Sequence, residues 1–153
     1  MVKRLLTALL PLVVWLALEP GCDSDLKAIE KTALHYAEAC YERDGDQMEQ
    51  ILHPDLATGV LMPDPRSGKE RLGHIRLAEV VRSESGTETP PDKRRADVSI
   101  LDVHGNVASV KLRMHGWVDY LHMVKTEGRW LIINVLRESS PEAKDNYAVP
   151  QEL

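Results

Sequence analysis

From Asp25 onward, apolar residues fall at Ile29, Ala33, Tyr36, Ala37, Cys40 and Tyr41, a period near that of an α-helix, so an amphipathic helix is expected that ends at Gly45. Asp46, with Glu49 three residues on, has the spacing of a capping box and predicts a short second helix. Met48, Ile51 and Leu52 are its apolar contribution, and Pro54 closes it. Residues 57–66, with Pro63 and Pro65, read as a loop or partial strand. Ser67 and Glu70 repeat the capping-box spacing, which predicts a third helix from about Gly68 to Arg82. Ile75, Leu77, Ala78 and Val81 form its stripe, and His74 falls in the same sector. Residues 83–93 are polar, contain Pro90-Pro91, and read as an exposed connection.

Beyond this point the period becomes two. Ala96–Val103 and Val107–His115 read as strands joined at Gly105-Asn106, and Trp117–Lys125 and Arg129–Arg137 as strands joined around Gly128. Helices followed by antiparallel strands make an α+β domain with the helices on one side of a curved sheet. The turn at Gly128 decides which strand residues face the helices. A three-residue loop, Thr126-Glu127-Gly128, places Val118, Tyr120, His122 and Val124 on one face with Trp130, Ile132, Asn134 and Leu136. A two-residue turn shifts the register by one and brings Trp117, Asp119, Leu121 and Met123 to Trp130. The first is preferred, because a two-residue primed turn demands a positive φ at Glu127.

At 153 residues the chain has room for one domain. The first 22 residues stand apart: Lys3-Arg4 precede an apolar run from Leu5 to Leu18, and Gly21-Cys22 follow. This is the architecture of an export signal, with a run short for a membrane span. Gly21-Cys22 fits a lipoprotein signal in which Cys22 is lipidated and becomes the mature N-terminus, while Glu19-Pro20 departs from that pattern. Lipidation, plain secretion and an uncleaved anchor are therefore all open. The expected organisation is a signal at 1–22, a domain at 23–138 and a polar tail at 139–153, in an exported protein that is periplasmic or held at the membrane through its N-terminal segment.

Removal of Lys3, Arg4 and Glu19 with the signal leaves 17 basic and 23 acidic residues. Nucleic-acid binding, which shows as a clustered basic face, is not expected. Lys93-Arg94-Arg95 is the basic cluster, and it enters a strand from a loop. With Cys22 committed to processing, Cys40 has no intrachain partner and reads as a small buried apolar residue. The histidines are scattered without metal-ligand spacing, so neither a metal nor a cofactor is expected.

Several segments together resemble the nuclear transport factor 2-like (SnoaL-like) superfamily, in its branch named "putative lumazine-binding". They are Tyr36-Ala37-Glu38 with Tyr41, Gly45-Asp46 with Met48, Leu52 through Ala57, and Asp97-Val98 to Asn106. Ala108 through Leu112, Asp119-Tyr120 and Gly128-Arg129-Trp130 through Leu136 complete the likeness. The resemblance implies a cone-shaped fold whose helices and curved sheet enclose a cavity, and a bicyclic heterocycle such as lumazine or a pterin as ligand. The fold hosts isomerases, dehydratases and pure binding proteins alike. Members of the branch often carry Gly-Trp where this chain has Ala39-Cys40, and a basic pair where it has Thr58-Gly59, which implies a wider, less aromatic cavity if that Trp lines it.

With the three-residue turn, Tyr120, His122 and Asn134 offer a phenol, an imidazole and an amide to the cavity, with Tyr36 and His74 facing them from helices. Such groups hydrogen-bond a polar heterocycle or act as general acid and base; more commonly they only satisfy their own hydrogen bonds. His53 reads as a cap on the second helix. Asp119 resembles the buried carboxylate of ketosteroid isomerase in type, but reads rather as an exposed or paired strand carboxylate. A non-catalytic binding protein is the first reading, with an isomerase- or dehydratase-type enzyme or a protein-interaction module as alternatives. Leu121, Met123, Leu131, Ile133 and Val135 make the reverse face apolar as well, which predicts a homodimer packed through that face.

Overall fold

The computed structural model describes residues 20–64, 66–74 and 89–140. Helices α1 (Pro20–Glu42) and α2 (Gly45–Ile51) precede strands β1 (Leu52–Pro63), β2 (Glu70–Gly73), β3 (Ala96–His104), β4 (Val107–Met114), β5 (Trp117–Thr126) and β6 (Arg129–Ser139). The strands form one open sheet in the order β2-β1-β6-β5-β4-β3. Only β1 and β6 run parallel; the other neighbours are antiparallel. Two helices packed against a curved, unclosed sheet realise the expected α+β cone. Among the described residues no helix is long and apolar enough to cross a membrane.

The apolar stripe of α1 is the core-facing one. Ile29, Ala33, Tyr36, Ala37 and Tyr41 are buried and pack with Leu112, Leu121, Met123 and Ile132 of the sheet. α1 ends in a Schellman-type reversal: Arg43 takes a left-handed φ of 56°, and the Asp44 amide donates to the Ala39 carbonyl at 3.1 Å. Asp44 then caps α2, its carboxylate accepting from the Gln47 amide at 3.0 Å. The cap is therefore Asp44, two residues before the expected Asp46, because the reversal at Arg43 needs no glycine to end α1. The Tyr41 hydroxyl ties α1 to the sheet by donating to the Arg95 carbonyl at 2.6 Å and accepting from the His115 amide at 2.7 Å.

Two further expectations are corrected. Residues 52–63 form a full strand, since parallel pairing with β6 supplies partners that local sequence does not reveal. Where a third helix was expected, residues 70–73 pair with β1 instead. The Ser67 hydroxyl donates to Asp64 at 2.7 Å and Gly68 sits at φ 66°, so this serine builds a reverse turn between β1 and β2 rather than a helix cap. The remainder of that expected helix, residues 75–82, lies outside the described residues, as do residues 1–19 of the expected signal.

The β5–β6 turn is the two-residue form. Thr126 pairs with Arg129, and Glu127 and Gly128 have φ of 50° and 77°. Positive φ at both central residues is the type I′ pattern, whose twist matches that of the strands. Farther along, Met123 pairs with Ile132 while His122 pairs with Asn134, leaving Ile133 as a β-bulge. The face toward the helices therefore runs Lys125/Trp130, Met123/Ile132, Leu121/Val135, Asp119/Arg137 and Trp117/Ser139. The opposite face carries Val124/Leu131, His122/Asn134, Tyr120/Leu136 and Val118/Glu138. Leu121, Met123 and Val135, expected on the reverse face, lie in the core instead.

Candidate functional site

Asp119 and Arg137 stand opposite each other on the concave face. Asp119 is completely buried, and Arg137 grips it through both oxygens, Nε to Oδ1 at 2.7 Å and Nη2 to Oδ2 at 2.6 Å. A bidentate, charge-assisted pair of this kind fixes both side chains in a plane. Nη2 also donates to the Tyr36 hydroxyl at 3.1 Å and lies 3.7 Å from the Cys40 sulfur. Both partners come from α1, so one guanidinium ties the helix to the last strand. The Trp117 ring completes the wall, its centroid 5.2 Å from the guanidinium carbon.

Burial pushes the Tyr36 phenol well above its ordinary pKa and raises the Cys40 thiol too. Both shifts favour the neutral, protonated forms, in which Tyr36 is a hydrogen-bonding hydroxyl. Asp119 has both oxygens committed to Arg137. The cluster can orient and hold a polar molecule, but it lacks an unengaged base.

At the other end of the sheet, Asp25 near the start of α1 accepts from Lys125 Nζ at 2.6 Å and from Trp130 Nε1 at 3.1 Å. The hydrogen bond from Lys125 lowers the Asp25 pKa, with Trp130 adding to it. This closed end is a structural clasp.

Of the sequence-selected residues, Tyr36 lies in the concave cluster. Tyr120, His122 and Asn134 do come together, but on the convex face, because the bulge at Ile133 and the two-residue turn invert their phase relative to the helices. There the Asn134 amide donates to the Ala57 carbonyl at 3.0 Å and its oxygen lies 3.1 Å from His122 Nδ1. Tyr120 is 42% exposed, with Lys111 Nζ 5.4 Å from its ring centroid. His74 follows β2 rather than lying on a helix, and its Nδ1 sits 3.0 Å from the Thr58 carbonyl. A carbonyl only accepts, so that nitrogen carries the proton. His53 accepts from the Asp55 amide at 3.1 Å, a turn contact at the start of β1. Cys22 falls in the first turns of α1.

Arg137 is the site residue that sequence reasoning missed. Its signal is an arginine two places beyond Val135 on a core-facing strand, legible only once the bulge is known. A concavity of about 310 Å³ lies on the flank of α1 over Ala37 and Tyr41. Glu42 and Arg94 approach to 4.0 Å across it, so its charged walls answer each other.

The model of the family described as "Putative lumazine-binding" matches residues 24–136. Two curated relatives, tripeptidyl aminopeptidases of Streptomyces lividans and Streptomyces coelicolor, are 27% identical over 113 residues, 72% of this chain. The match spans only 20% of the length of those relatives. Among solved structures, an NTF2-like protein of unknown function from Shewanella baltica superposes with a TM-score of 0.60 at 19% identity, covering 78% of this chain and 97% of that one. One from Methylobacillus flagellatus gives 0.62 at 17% identity, with 76% and 93% coverage. A structure described as a putative dehydratase of the NTF2-like family, from Streptomyces avermitilis, gives 0.51 at 16% identity, with 78% and 98% coverage. These likenesses establish the fold.

Proposed function

Because the chain belongs to the family described as "Putative lumazine-binding", we propose that it is a small-molecule-binding domain that takes a bicyclic heterocycle of the lumazine or pterin type without transforming it. The observation that carries the non-catalytic reading is the double engagement of Asp119 by Arg137. A proton-abstracting carboxylate needs a lone pair directed at substrate. Here the buried carboxylate instead holds a donor-rich guanidinium in place beside a phenol and an indole, an arrangement suited to orienting a polar ring.

A thermal-shift series with lumazines, pterins and steroids tests this. Saturable stabilisation by a bicyclic heterocycle, with the compound recovered unchanged, is the expected result; no stabilisation by any of them overturns the reading.

We place the protein outside the cytoplasm on the strength of the Lys3-Arg4, Leu5–Leu18 and Gly21-Cys22 pattern. If Cys22 is lipidated, Cys22→Ser abolishes membrane attachment, and unchanged attachment refutes the anchor. The convex face supports a homodimer: Tyr120, Leu136 and Leu72 are 42%, 48% and 50% exposed there. A strict monomer by sedimentation at high micromolar concentration would exclude it.

A further inference from the structure

Within the small-molecule reading, on which this inference rests, we propose that Arg137 is the ligand anchor and that the ligand is a flat ring bearing a neutral carbonyl, such as a lactam or imide. A guanidinium has five N–H groups in a rigid fork. Nε and one hydrogen of Nη2 go to Asp119 at 2.7 and 2.6 Å, and the other side of Nη2 faces the Tyr36 hydroxyl at 3.1 Å. The two hydrogens of Nη1 have no acceptor among the described residues. The Arg137 side chain as a whole is not sealed away, being 21% exposed.

The charge arithmetic selects the acceptor. Asp119 already balances the guanidinium, so a carboxylate arriving at Nη1 would bring an uncompensated negative charge to a partly buried site, whereas a carbonyl oxygen satisfies the donors without one. The two bonds to Asp119 set the guanidinium plane, with the Trp117 ring centroid 5.2 Å from its carbon. A planar ring whose carbonyl accepts in that plane shares the same aromatic wall. The Tyr36 hydroxyl, held protonated by its burial, adds polarity without charge.

The test uses the full chain and matched flat bicycles: lumazine and quinazoline-2,4-dione, which carry carbonyls, and quinoxaline, which does not. Titration by calorimetry should give a dione affinity at least about tenfold above that of quinoxaline, the scale of a charge-assisted hydrogen bond. Arg137→Lys, which keeps the charge but loses the fork, should remove most of that difference. Should the variant fail to fold, the dione and quinoxaline comparison on the unaltered chain decides alone. Equal affinity for both compounds, or a folded Arg137→Lys protein with undiminished dione preference, overturns the anchor and leaves small-molecule binding standing. Absence of binding by every flat ring overturns both.

Discussion

Tyr36 of α1 and Arg137 of β6 are joined by a 3.1 Å hydrogen bond between the phenol oxygen and Nη2, the same nitrogen that grips Asp119. Helix α1 and strand β6 thus share one guanidinium, and a change at any member reaches the other two.

Arg137→Ala should destabilise the domain by about 3–5 kcal/mol, because it strands the fully buried Asp119 as an unpaired charge. The double variant Asp119→Leu, Arg137→Met removes both charges and should lose clearly less than the single one. Urea unfolding of the two proteins checks the ordering, and a double variant weaker than Arg137→Ala would contradict it.

The Asp25 clasp predicts an acid dependence. Its folded pKa lies below the ordinary carboxylate value of 3.8, chiefly through the Lys125 hydrogen bond. A depressed folded pKa contributes stability that is present above the unfolded value and disappears as the pH falls through the folded one. Wild type should therefore exceed Asp25→Asn in melting temperature at pH 7, and the gap should close as the pH drops below 3.8. A gap that stays constant down to pH 2 would exclude this contribution.

Glu127 occupies a turn position at φ 50° that favours asparagine or glycine. Glu127→Asn should raise stability by about 0.5–1 kcal/mol through relief of that backbone cost. Chemical denaturation with an unchanged m-value would show it.

Tyr41→Phe should cost about 1–3 kcal/mol. Its hydroxyl serves the Arg95 carbonyl and the His115 amide, and phenylalanine leaves both without that partner. Faster amide exchange at His115 is the local signature to look for.

Much of the architecture was readable from residues. The α1 stripe, the turn at Gly105-Asn106 and the strand order from Ala96 onward follow from periodicity and turn chemistry, which are local properties. The face assignment of β6 beyond Ile132 was not readable, because an extra residue at Ile133 inverts it and nothing in Trp130-Leu131-Ile132-Ile133-Asn134 marks which residue is left unpaired. Backbone preference argues against a positive φ at Glu127, yet pairing of the whole hairpin outweighs about 1 kcal/mol of local cost. Ser67 and Glu70 mimicked a helix start because the spacing of a capping box says nothing of whether Asp64 claims the serine first.

The parallel pairing of β1 with β6 carries a consequence for how the chain reaches this state. Among the described residues, β2 is the one strand that pairs with residues 52–63 until residues 132–138 are available. During synthesis the antiparallel hairpins of β3 to β5 can form as soon as they leave the ribosome, while β1 waits with an unpaired edge. The long separation in sequence between β1 and β6 makes this the slow, entropically costly closure. Chains halted before Arg137 should therefore be open to proteases and chaperones at β1, with protection arriving in a single late step when the guanidinium meets Asp119.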